Sequence, residues 1–164
     1  MTRPPKPAVV TPQAGGNAYA TLADAERWFA ARHHPEWAAA SVAARSGALI
    51  RAAEWLDHHF RFRGTRLRPD QPRAWPRSGL AAGSRNPVSG LPLAVEQAYF
   101  VLALALLEGD AAAEQLLGVR GAILEERIGN VAVQYDRAGQ RQSRLLALLR
   151  PWLCDPGQIL VTRS

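Results

Sequence analysis

Val95-Glu-Gln-Ala-Tyr-Phe-Val-Leu-Ala-Leu-Ala-Leu-Leu107 is the stretch on which the fold turns. Beyond Glu96 and Gln97 it is apolar nearly all round a helix, the pattern of an element buried on most of its sides. Pro92 suits a first helical turn, and Gly109-Asp110 interrupts the pattern. A helix over about 93–107, at the centre of a small bundle, is therefore predicted. Its purely apolar part, Ala98 to Leu107, is ten residues long, against the ~20 that a membrane span needs. The start, Arg3-Pro4-Pro5-Lys6-Pro7, lacks the apolar stretch of a signal peptide. These readings predict a soluble protein made in the cytoplasm, with no membrane partner.

The neighbouring segments supply the rest of the bundle. Thr21, with Asp24 or Glu26 downstream, marks a helix start, and Leu22, Ala25, Trp28 and Phe29 share one face until Pro35 ends the segment. Ser41 can cap a second helix, in which Val42, Leu49, Ala52, Ala53, Leu56 and Phe60 recur near the 3.6 period. Residues 111–118 add a short helical turn. Ser143 can start a last helix through Leu145, Leu146, Leu148, Leu149 and Trp152, stopped by Asp155-Pro156-Gly157. Within 124–135, Val131, Val133 and Tyr135 alternate with Ala132 and Gln134 after Gly129-Asn130, which reads as a strand or small hairpin. A lone β element needs a partner strand, and another subunit can supply it.

The fold class is thus mainly α: about four helices, a short β-strand or hairpin, and extended arms at both ends. Residues 1–16, with four prolines and two glycines, read as a flexible arm. Residues 17–154 form the helical domain, and 155–164 a docking tail whose Ile159, Leu160 and Val161 are too few to make a core of their own. With Val131, Val133 and Tyr135, these three are the candidate contacts between chains.

At 164 residues the chain has the length of one domain, and 48% hydrophobic against 21% charged residues is ordinary globular usage. A single cysteine, Cys154, excludes a disulfide framework within the chain and a multi-thiolate zinc site; it is expected to be a small buried hydrophobe. Of twenty basic residues all but Lys6 are arginine. GC-rich codon usage also produces that bias, so placement is more informative than number. Arg61, Arg63, Arg66, Arg68, Arg73, Arg77 and Arg85 face only Asp70 within residues 61–85, a surplus equal to the chain's entire net charge of +6. The remainder is balanced. Prolines at 69, 72, 76 and 87 and four glycines keep any long element from crossing 61–91. A basic loop on a neutral body suits a surface that meets a polyanion or an acidic protein.

Catalytic constellations do not emerge. His33-His34 and His58-His59 are adjacent pairs whose side chains diverge by about 100° on a helix, unlike an i, i+4 metal pair. Glu54, Asp57 and His58 read as a solvated polar face, and no nucleotide-phosphate loop occurs. Neither an enzymatic activity, a metal nor a cofactor is expected. Trp75-Pro76-Arg77, inside the basic loop, has two readings. Either Trp75 plugs the loop onto the core with Pro76 fixing the backbone, or it forms an aromatic–arginine platform for bases or a partner groove.

Taken together, Asn17-Ala-Tyr-Ala-Thr-Leu-Ala-Asp-Ala-Glu-Arg-Trp-Phe29, Trp37, Ala48-Leu-Ile-Arg-Ala-Ala-Glu-Trp-Leu-Asp57, Arg63-Gly64, Ala74-Trp-Pro-Arg77 and Leu91-Pro92 resemble a family of tailed-bacteriophage and prophage proteins. These are head–tail connectors (adaptor or head-completion proteins), which often carry the label of DnaT-like single-stranded DNA-binding protein. The likeness is good over about 17–108. Ile128 to Tyr135 and Leu148 to Leu153 look like the strand and last helix of such adaptors. It implies a dodecameric ring in the virion neck that docks on the portal protein and extends the channel for packaged double-stranded DNA. It would also provide the attachment site for a tail-side connector or tail terminator protein. The rival single-stranded DNA-binding role requires exposed aromatics among the arginines, for which only Phe60, Phe62 and Trp75 qualify.

Overall fold

The computed structural model describes residues 10–80, 90–117 and 143–154. The chain opens with α1 (Leu22–Ala30), α2 (Pro35–Ala39) and α3 (Val42–His59). A two-residue ladder follows, β1 (Thr65–Arg66) antiparallel to β2 (Arg77–Ser78). Next come α4 (Leu93–Glu108), α5 (Asp110–Leu117), α6 (Ser143–Leu149) and a 3₁₀ turn at Arg150–Trp152. The predicted strand with Val131, Val133 and Tyr135, the tail with Ile159, Leu160 and Val161, and Arg85 all lie outside the described residues.

Helix α4 is the hub, packing against α3, α5 and α6. Val95, Ala98, Tyr99, Phe100, Leu102, Ala103 and Leu106 are all buried, so contacts surround it as its apolar sequence predicts. Pro92 stands one position earlier than expected, as the N-cap in extended conformation. Tyr99 binds α4 to α3: its hydroxyl donates to the Leu49 carbonyl over 2.9 Å, and its ring meets Tyr19 edge-on. Burial holds the Tyr99 phenol well above its ordinary pKa, so it remains a hydrogen-bond donor. Gly109 ends α4 at φ +140, outside the range L side chains favour, and its carbonyl starts α5.

The helix starts follow local chemistry. Thr21 accepts from the Asp24 amide while the Asp24 carboxylate accepts from Thr21, a reciprocal capping box. Those bonds depress the Asp24 pKa. Ser41 caps α3 through the Ala44 amide. Pro35 differs from expectation: α1 has already ended at Ala30, and Pro35 opens α2 at a position that needs no amide donor. That short helix delivers Trp37 onto Phe29, with ring centroids 4.0 Å apart. Val42, expected on the buried face of α3, is half exposed, as its first-turn neighbours Ala43 and Ala44 are also exposed. The part of the N-terminal arm that is described is not free either. Pro12 is buried, and Gln13 to Ala18 form a turn closed by Asn17, which accepts from the Gln13 amide and donates to the Thr11 carbonyl.

Leu102 has no exposed surface. Leu102→Asp should therefore destabilise the domain by more than about 3 kcal/mol, combining lost apolar burial with a charge that has no partner. Chemical denaturation followed by circular dichroism would reveal a parent-like midpoint if α4 were not the hub.

Candidate nucleic-acid or partner interface

The basic segment leaves α3 at Phe60, and its first residues are sewn to the C-terminal side of the bundle. Phe62 forms an antiparallel bridge with Leu153. The Arg63 amide donates to the Trp152 carbonyl at 2.8 Å, and the Cys154 amide to the Arg61 carbonyl at 2.9 Å. Cys154, expected to be buried, is exposed, with its thiol 3.3 Å from the Phe62 carbonyl. The reason is its place at the rim of this seam rather than on a helix face.

Trp75 enters the core beneath the segment, only 2% exposed, between the ring edges of Phe62 and Trp152. The peptide bond to Pro76 is cis. Of the two readings of Trp75-Pro76-Arg77, the plug is the one the geometry supports. Phe60 and Phe62 are buried as well, so none of the three aromatics named as a stacking platform is available. Elsewhere Trp55 is stacked on His59, and Trp28 is covered by the Arg32 guanidinium at 4.0 Å.

Side chains hold the turn where prolines prevent a ladder. Buried Gln71 accepts from the Arg68 amide and donates to the carbonyls of Arg73 and Pro76. Arg77 donates to the carbonyls of Arg63, Gly64 and Ala74 over 2.7–3.0 Å. Burial lowers its pKa, and those three acceptors offset the lost hydration. Gly64 allows the close approach: at φ +75, a Cβ there would stand 2.3 Å from the Ser78 carbonyl oxygen.

Underneath lies a polar cluster. Tyr19 donates its hydroxyl to one oxygen of Asp57, and Arg73 stands 3.4 Å from the other. Asp57 and Arg73 are only 17% and 16% exposed, so Asp57 is not on a solvated face. Desolvation pushes its pKa up, against the opposing bonds from Tyr19 and the Ala74 backbone and the charges of Arg73 and Arg66. Burial, reinforced by Asp57, also raises the Tyr19 pKa. The spacing contained a signal for this: Asp57 falls within the apolar stripe of Ala53, Leu56 and Phe60. Tyr19 gave none, because its partner is distant in sequence; Gln71 gave none although its partners are local, because a glutamine in a proline-rich loop carries no periodicity signal.

The arginines therefore divide. Arg73 and Arg77 turn inward and hold the segment together, whereas Arg61, Arg63, Arg66 and Arg68 are exposed. Arg68 has only a loose contact with Asp70 at 3.8 Å, both side chains being solvated. The outcome is a preformed cationic hairpin with exposed Leu67 at its turn and no aromatic on its surface. It can bind anions through guanidinium groups; it offers no aromatic ring on which bases could stack. Among the described residues no cluster of histidine, cysteine or carboxylate side chains could hold a metal ion, and no helix is long and apolar enough to cross a membrane.

Residues 9–163 match the family model described as "Putative DnaT-like ssDNA binding protein". No curated protein and no solved structure matches the chain.

Two outcomes follow from the divided arginines. Arg73→Met, which removes the cation beside Asp57, should cost roughly 1–3 kcal/mol in denaturant unfolding, whereas Arg61→Ala should stay within about 0.5 kcal/mol of the parent. Equal losses would mean that Arg73 is as free as Arg61. The second outcome concerns pH. Because folding raises the Asp57 pKa, its linked stabilisation is full below the ordinary aspartate value of ~3.9 and is lost as pH rises through the higher folded value. Parent minus Asp57→Asn stability should thus grow as pH is lowered toward about 4; thermal melts across that window giving the opposite slope would show that pairing outweighs desolvation.

Proposed function

The chain belongs to the DnaT-like ssDNA binding protein family, and from that membership and the shape of its basic hairpin we propose that it is a head–tail connector subunit of a tailed phage or prophage. In this reading it forms a ring in the virion neck, docks on a portal protein, surrounds packaged double-stranded DNA and receives a tail-side protein. It performs no catalytic step. The observation that carries the proposal is the hairpin, held rigidly by Trp75, Gln71, Arg77 and the Asp57–Arg73 pair, with four arginines outside and every loop aromatic inside. A channel wall or docking face needs a fixed cationic surface. A sequence-tolerant single-strand binder gains about 1–3 kcal/mol per base from stacking on exposed rings, and this surface offers none.

Single-stranded DNA binding is the second reading, favoured by the description of the family itself. The two separate in one pair of measurements: sedimentation with a purified portal ring, and fluorescence anisotropy with labelled single-stranded DNA at physiological salt. The connector reading expects a stable complex with the portal, and only weak DNA binding that falls steeply with salt. Tight single-strand binding without portal association would replace it with the second reading.

A further inference from the structure

As the chain leaves α3 its side chains alternate: Phe60 and Phe62 are buried, Arg61 and Arg63 exposed. That is the period of a strand with one face on the core, so the two arginines share the outer face, about 6.6 Å apart along the backbone. The C-terminal end of the bundle lies alongside. Phe62 stands opposite Leu153, and that pair is flanked by the bonds from the Arg63 amide to Trp152 and from the Cys154 amide to Arg61. The Arg63 guanidinium reaches the Pro151 carbonyl at 3.4 Å. Arg150, exposed at the start of the 3₁₀ turn, is the residue joined to Pro151. Chain closure thus sets Arg150 beside Arg63, outside the segment whose charge the sequence made conspicuous.

Among the described residues no carboxylate pairs with Arg61, Arg63 or Arg150. Three like charges gathered on one seam repel one another and gain from an anion that spans them. A protein partner would need an apolar anchor at the centre of the contact. The largely exposed hydrophobic side chains are Val10, Val42, Leu67 and Leu93, none of them in the seam, and half-buried Trp152 is engaged edge-on by Trp75. A nucleic-acid backbone needs no such anchor. Its phosphates are bound by cations alone, and guanidinium groups match them in bidentate geometry.

We infer that Arg61, Arg63 and Arg150 form one phosphate-binding face, built across the Phe62–Leu153 seam, that holds the backbone of a nucleic acid without reading its bases. The inference rests on the DNA-facing part of the reading above and deepens it. It moves the contact from the hairpin tip to the seam at its base, and it gives the 3₁₀ turn after α6 a binding residue.

Fluorescence anisotropy of the full chain with labelled duplex and single-stranded oligonucleotides over a salt series tests it, using variants that melt like the parent. Each lost phosphate contact should lower the slope of log affinity against log salt by about 0.9 on duplex and about 0.7 on single strands. Arg61→Ala and Arg150→Ala should each show that loss, whatever the base composition. Arg150→Lys should regain most of it, since a point charge remains. Arg51→Ala removes the same charge from the Asp110 pair and should leave the slope unchanged. The chain's single cysteine gives an independent reading: Cys154 is exposed across the seam from Arg61, so bound DNA should slow its alkylation several-fold, and high salt should remove that protection. DNA binding with an unchanged Arg150→Ala slope and an unprotected Cys154 overturns the seam and leaves DNA to Arg66 and Arg68. A parent that binds no DNA even at low salt overturns the seam and the DNA channel together. If Arg150→Ala instead abolishes portal binding and spares DNA binding, the face belongs to a protein and the inference falls.

Discussion

Prolines at 69, 72 and 76 remove amide donors from a segment that must still satisfy its carbonyls, and side chains take over that work. Arg77 reaches three carbonyls, Gln71 two. The charged anchor is Arg73 on Asp57, both side chains largely withdrawn from solvent. Without these contacts the short ladder of two residue pairs could not hold a hairpin. With them, a proline-rich stretch becomes a fixed surface. Among the described residues, the segment's other arginine side chains make only long contacts, Arg63 to the Pro151 carbonyl at 3.4 Å and Arg68 to Asp70 at 3.8 Å, and they are presented outward.

The anchoring draws on all parts of the domain. Tyr19 from the N-terminal turn, Asp57 from α3 and Trp152 from the C-terminal 3₁₀ turn converge on the segment. Tyr99 extends the cluster into α4 through its contact with Tyr19 and its bond to Leu49. A change at the bundle's hub would therefore be felt at the hairpin, and the converse holds. This continuity explains how a domain built around one apolar helix keeps a hydrated, charged projection in register with its core.

The division of the arginines also separates two energetic roles. Arg73 and Arg77 contribute through desolvated hydrogen bonds and charge pairing, where removing one partner leaves buried polar atoms unsatisfied. Arg61, Arg63, Arg66 and Arg68 contribute little to stability, since solvated charges interact weakly in water. Their value lies in the field they create and in the phosphates or carboxylates they meet.

The amino-acid order by itself marked every described helix except α2. The unbroken apolar run of α4, the capping pairs Thr21–Asp24 and Ser41–Ala44, and the 3.6 spacing of α3 are local signals, readable because each depends on residues within one or two turns. It also placed the net charge on a segment that cannot be core. It did not distinguish which arginines are free: Arg73 and Arg68 look alike until Asp57, sixteen residues from Arg73, is brought against one of them. Nor did it decide between plug and platform for Trp75, because an aromatic's accessibility is set by what Phe62 and Trp152 do to either side of it. Pro35 misled for a related reason, since proline both stops one helix and starts another, and the turn geometry at His33 decides which. Local hydrogen-bond and periodicity rules act over a few residues; burial is a property of surfaces that only chain closure brings together, and the functional surface here is what burial leaves outside.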